Sequence, residues 1–297
     1  MDTSNSRMGA NQLADQIAKL QDSSGCWNVL EPSDRNYPQF NYYVPNYKST
    51  LWTLVLLADS LVDPDDERFK KPLQIISAHF YDKEHGIFSI GKSHFPIPCL
   101  NGNMVYLLSY FKSKERDKLE SVVRFFEKYQ RFDDGDFKTP TRFPYFSNKS
   151  CYGSHSCYWG IVKLLKGLVH IPVEERDRSS NELIKKCIDF ILLHEVCFSS
   201  RTSTDYLHKR IQFLTFPNMY HSDFLEVLWI LMKAEVRHIK MERAIELLKS
   251  KMNKDGNWSI EKKVGDLIVP FGRWGYDSQA ITARAREVLR FYEDVKI

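Results

Sequence analysis

The sequence predicts an all-α protein, an α/α toroid of five to six helix pairs, in a single domain spanning residues 1–297. Three observations lead there. Helical periodicity dominates and strand signals are scarce. An amphipathic helix, a Gly-x-aromatic turn, a Pro-containing loop and a more apolar helix recur as a unit of about 50–65 residues, recognisable over about residues 10–293. The second helix of each unit is apolar nearly all round, as expected of a helix enclosed by others. A helix pair cannot bury its apolar face alone, so the pairs must stack. An open solenoid has the same repeat; a ring is preferred because it leaves no exposed ends.

The first helix is expected at about 11–21, with Leu13, Ile17 and Leu20 on one face, and Gly25 supplies the positive φ that stops it. A loop rich in Pro and Tyr runs from Pro32 to Pro45, and Ser49 and Thr50 then cap the apolar run LWTLVLLADSL. Asp63-Pro64-Asp65-Asp66 turns the chain into a helix at about 68–80, which ends at EHGIF with Gly86. The loop FPIPC precedes the next apolar helix, from about 101. A helix over 114–130 ends at Gly135-x-Phe137, and the chain re-enters an apolar helix, with Ile161, Leu164, Leu165 and Leu168, after His155. The helix at 180–194 ends less sharply, and Ser222-Asp223 open FLEVLWILMKA. The last pair is 241–252, ending at Gly256-x-Trp258, and about 278–292.

Composition narrows the function. A net charge of +4, with Lys and Arg dispersed among Asp and Glu, gives no basic surface for nucleic acid. No apolar run approaches the ~18–20 residues that span a bilayer, and the polar start MDTSNSRMGANQ lacks the pattern of a secretory signal. Six cysteines in a chain of this length, without a signal, are expected as reduced thiols or metal ligands in a cytoplasmic protein. Cys26, Cys187 and Cys197 are assigned to packing or surface.

The turns carry a resemblance. Gln21-x-x-x-Gly25-x-Trp27 matches the Q-x-x-x-G-x-W repeat of squalene–hopene cyclases. Met252 to Gly256-x-Trp258 is a weaker copy, Gln130 to Gly135-x-Phe137 has one extra residue, and Tyr81 to Gly86-x-Phe88 keeps the Gly-x-aromatic part. The chain thus resembles the terpenoid cyclase/protein prenyltransferase superfamily, and among its members the bacterial and archaeal single-domain proteins. That resemblance implies a prenyltransferase-like or terpene-cyclase-like enzyme, a transferase or isomerase. Its substrate would be an isoprenoid or similar apolar molecule, a diphosphate included, held in the toroid cavity. A non-catalytic lipid- or peptide-binding toroid is the alternative.

In such a toroid the second helices begin at one rim of the cavity, with the Gly-x-aromatic turns expected at the other. The starts carry Tyr47; Cys99; His155 and Cys157; Tyr220, His221 and Asp223; and Arg273. Helix N-termini there favour an anion, and Arg273, immediately before a helix, is the best-placed cation; Arg142, Arg201, Lys209 and Arg210 are further loop cations. Cys, His and carboxylate are what Zn²⁺ takes, and protein prenyltransferases use Asp, Cys and His at that end to hold a thiolate. Here the expected zinc ligands are Cys99, His155 and Cys157, with Asp223, His221, Cys151 or water in fourth place. Asp223, Tyr220 and Arg273 are the expected catalytic residues. Asp63-x-Asp65-Asp66 matches by letter the acid motif of class II terpene cyclases, with Asp65 as the proton donor. Asp-Pro-Asp-Asp before a helix is also ordinary capping chemistry, which is the preferred assignment. Circular dichroism of the purified protein should be strongly helical and essentially free of a sheet signal; substantial β content would remove the fold and the site together.

Overall fold

A computed structural model describes residues 3–91, 95–146, 149–202 and 204–293. The helices among them are α1 (Thr3–Ala18), α2 (Thr50–Asp59), α3 (Glu67–Phe80), α4 (Pro98–Tyr110), α5 (Arg116–Tyr129) and α6 (Lys149–Tyr152), followed by α7 (Tyr158–His170), α8 (Arg178–Leu193), α9 (Phe224–Lys233), α10 (Glu242–Ser250) and α11 (Gln279–Glu293). The fold class is all-α. The short α6 was not expected, and α4 starts earlier than its apolar pattern suggested, because Pro98 opens it with a ready-made φ. The named strands, β1 (Tyr81–Asp82) and β2 (Ile87–Phe88), are two residues each and form the arms of the Gly86 turn, pairing Tyr81 with Phe88. No helix among the described residues is long and apolar enough to cross a membrane.

Two kinds of helix alternate, as their sequences dictate. α5 buries Leu119, Val122, Val123 and Phe126 at i, i+3, i+4 and i+7 and leaves its charged face to water. α2 is buried at every residue, α4 from Pro98 to Leu108, and α9 from Phe224 to Met232. The second helices pack in chain order: α2 on α4, α4 on α7, α7 on α9, α9 on α11. α11 departs from the expected enclosed type. It buries Ile281, Arg284, Ala285 and Val288 on one side and exposes Ala283, Arg286, Glu287 and Arg290 on the other.

The Gly-x-aromatic turns sit at the starts of the second helices, not at the opposite end as expected. Gly25 and Gly256 take φ of +89° and +73°, which bends the chain back so that the aromatic backbone meets the next helix. The Trp27 N–H donates to Thr50 Oγ1, which donates in turn to the Trp27 carbonyl. Thr282 holds Trp258 in the same way, and the Asn101 amide makes the equivalent two bonds with Phe88. Each indole also donates back to the first helix of its pair, Trp27 to Ile17 and Trp258 to Leu248. First-helix ends and second-helix starts share a rim because the two helices are joined by a returning loop. A polar residue in the first turn of the second helix is therefore the clasp of these three repeats.

The closest approach is between α4 and α7, where backbones touch. A Cβ on Gly102 would stand 2.2 Å from the Lys163 carbonyl oxygen, and one on Gly167 2.5 Å from that of Gly102. Gly102→Ala should gain ~1 kcal/mol of helix propensity, but the clash outweighs it, at about 1–3 kcal/mol or more of overpacking. The variant is expected to have a lower urea midpoint, whereas Gly265→Ala, where a Cβ meets nothing within 4 Å, should keep it.

Candidate functional site

The starts of α4, α7 and α9 bring several of the expected residues together. Cys99, in the first turn of α4, is buried near the Tyr220 side chain, and burial with the nearby Cys157 pushes its thiol up to about 12. Burial and the other two thiols raise Cys151, on α6, in the same way. These are reduced, protonated thiols rather than nucleophiles at neutral pH.

His155 does not join them. The residue bridges to Asp134 in antiparallel fashion, and its ring lies 3.6 Å from the Asp134 carboxylate and accepts from Arg201 Nη2 at 3.3 Å. His194 meets the same carboxylate at 3.7 Å. The next residue, Ser156, is tied by its hydroxyl to Arg131 and Asp133, and the chain then turns into α7, so His155 and Cys157 diverge. Among the described residues no three His, Cys, Asp or Glu side chains group closely enough to hold a metal ion. Cys99, His155 and Cys157 therefore do not form such a group in this arrangement.

Tyr220, His221 and Asp223 line a cavity of about 220 Å³ together with Tyr47, Arg210 and Lys262. Asp223 is buried and fully engaged: Oδ1 accepts from the Glu226 N–H at 2.8 Å as the cap of α9, and Oδ2 from the Thr215 N–H at 2.6 Å. Burial raises its pKa to about 6 against those bonds. Arg273 lies elsewhere, exposed and stacked on Tyr276. Asp65 is 57% exposed in its side chain and paired with Lys112 at 2.5 Å. That hydrogen bond lowers its pKa, which favours a carboxylate over a shielded acid, while Asp66 caps α3.

Deeper among these helices lies a cluster the sequence reading missed. Lys163 Nζ donates to both Glu226 oxygens, at 2.9 and 2.7 Å, and to the Asn218 carbonyl at 2.9 Å. Lys166 Nζ bonds Asp59 Oδ1 at 2.5 Å and Glu226 Oε1 at 2.8 Å, and lies 4.4 Å from the centroid of the Tyr106 ring. All four charged side chains are fully buried. Arg284 joins through Asn218 Oδ1 at 3.0 Å. Thus α2, α4, α7, α9 and α11 each place a polar side chain in one cluster. Burial pushes Glu226 up, but the charges of Lys163, Lys166 and Arg284 outweigh it and hold the carboxyl at about 2. Burial pulls Lys163 down against the opposing pull of Glu226. The available signal was a charge inside an all-apolar run: two lysines in CYWGIVKLLKGL, Glu226 in FLEVLWILMK, and Asp59 closing LWTLVLLAD.

No family model matches the chain, and no curated protein matches it.

Glu226→Leu strands two buried lysines beside one remaining carboxylate and should cost about 3–5 kcal/mol in urea unfolding. Adding Lys163→Met leaves the Lys166–Asp59 pair balanced and should recover part of that loss. The pH dependence follows from the signs. Glu226 is depressed from 4.5 to about 2, so its contribution is complete above pH 4.5 and is lost as pH falls towards 2. Burial depresses His170 from 6.5 to about 4 despite its bond to the Lys166 carbonyl, so the unfolded chain takes up its proton first and stability falls between those values. His170→Asn should flatten the stability–pH profile between pH 6.5 and 4.

Proposed function

We propose that the chain is an α/α toroid whose mouth, at the starts of the second helices, binds a phosphate- or diphosphate-bearing apolar molecule. The contribution of five helices to one buried cluster supports the ring. The single observation that carries the ligand class is the cationic cavity. Arg210, Lys262 and Lys263 line it and have no carboxylate partner among the described residues, and the buried Ser222 hydroxyl beside the start of α9 has no hydrogen-bond partner. Burial and the charges of Arg210 and Lys209 lower Lys262, and burial with Arg210 and His208 lowers His221 to about 4. An anion relieves that mutual repulsion, and helix N-termini add to the attraction. Tyr43, Tyr47 and Tyr220, each packed on Trp52 at 5.5–6.5 Å, offer an aromatic wall for an apolar tail.

The enzyme of this reading is a prenyltransferase-like or cyclase-like protein acting on an allylic diphosphate. Asp223, committed to its cap, favours a second reading: a receptor that binds the same molecules without turning them over. Titration with inorganic pyrophosphate and with geranyl diphosphate should show binding that weakens with salt and falls ~10-fold or more in Arg210→Ala and in Lys262→Ala. His221 should titrate at higher pH in the complex, because a bound anion favours its charged form, and ring nitrogen shifts would record it. No binding of either compound at millimolar concentration would defeat the proposal. Release of pyrophosphate from geranyl diphosphate would separate the enzyme from the receptor.

A further inference from the structure

A second, larger cavity lies between the first helix and the last. It measures about 540 Å³, and its walls include Leu13 of α1, Trp229 of α9, and the loop residues Phe216 and Phe271. That is within the range of about 300–1,000 Å³ usual for small-molecule sites. The end of α2 at Asp59 borders it, and one buried charged residue of α11, Arg284, is part of its wall.

Arg284 is only 7% exposed, yet no carboxylate pairs with it among the described residues. Its guanidinium lies over Trp229 and Phe216, with ring centroids at 4.6 and 5.1 Å, and its one hydrogen bond among the described residues is to Asn218. The neighbouring carboxylates are engaged elsewhere. Glu226 serves both lysines, Asp223 caps α9, and Glu287 accepts from the Trp229 indole and from Lys233. Asp59 gives one oxygen to Lys166, and its other oxygen, Oδ2, is buried without a partner among the described residues. A cation taken out of water needs a counter-charge, and a guanidinium fork matches a carboxylate in two parallel hydrogen bonds.

We propose that this cavity binds a small carboxylic acid with a flat apolar body. The carboxylate pairs with Arg284, and the body lies against Trp229, Phe216 and Phe271. A monoanion is selected over a phosphate, because one guanidinium stands here beside the carboxylates of Asp59 and Glu287. The site is separate from the mouth and requires nothing of it.

The probe is 2-naphthoate, titrated into the full-length protein by calorimetry and by tryptophan fluorescence. The acid should bind, and neutral 2-naphthylmethanol should bind ~10–100-fold more weakly, the difference a charged hydrogen bond makes. Arg284→Gln should erase that difference. Ala283→Trp fills the cavity from an exposed wall position, so it should block 2-naphthoate while its circular dichroism and urea midpoint match the wild type. Pyrophosphate should not displace the probe. Absence of binding, equal affinity for acid and alcohol, unchanged binding in Ala283→Trp, or displacement by pyrophosphate would each overturn the assignment.

Discussion

Three of the enclosed helices, α2, α7 and α9, meet around Glu226, a fully buried carboxylate shared by two fully buried lysines. Desolvating such ions costs several kcal/mol each, and their attraction repays it only when the geometry is good and the remaining valences are filled. The fold meets that condition from four directions, with Asp59 from α2, the two lysines from α7, Glu226 from α9 and the Asn218 carbonyl from the loop before α9. A hydrophobic core of the same volume would hold as well, but it would not fix register. Sliding α7 by one turn, 5.4 Å, would leave at least one ammonium group without its partners, so the ion cluster, together with the close Gly102–Gly167 approach, favours one arrangement of these helices.

The all-α class and the repeat were legible because periodicity and the Gly-x-aromatic turns are local signals. Gln21, Gly25 and Trp27 did mark a staple, with the Gln21 amide bonding the Gly25 and Arg68 carbonyls. Its rim was misplaced because the partner, Thr50, lies across a long loop and looks in sequence like an ordinary cap. α11 was expected to be enclosed like α9, yet Arg286, Glu287 and Arg290 recur on one face of it and that face is exposed. The expectation followed the repeat where the local pattern was the better guide.

The site was half legible. Tyr220, His221 and Asp223 do share a cavity, because a helix start is a place the sequence can name. Spacing alone could not show that Asp223 spends both oxygens on backbone N–H groups, nor that His155 belongs to the Asp134 group. The lysines of α7 were passed over for a physical reason: a periodicity count treats Lys163 and Lys166 as interruptions of an apolar helix, and only the partners on α2 and α9 make them interior. A charge within one apolar run shows that a partner is needed, but not which segment supplies it.

The shared carboxylate also constrains how this sequence can change over time. No member of the Asp59, Lys163, Lys166 and Glu226 set can be exchanged for a neutral residue alone without leaving a bare charge in the interior. Divergence at these positions must therefore pass through paired or compensating steps, while the apolar residues between them drift one at a time. Descendants of this chain should keep the four as a block or lose them in charge-balanced groups, a covariation written by desolvation rather than by activity.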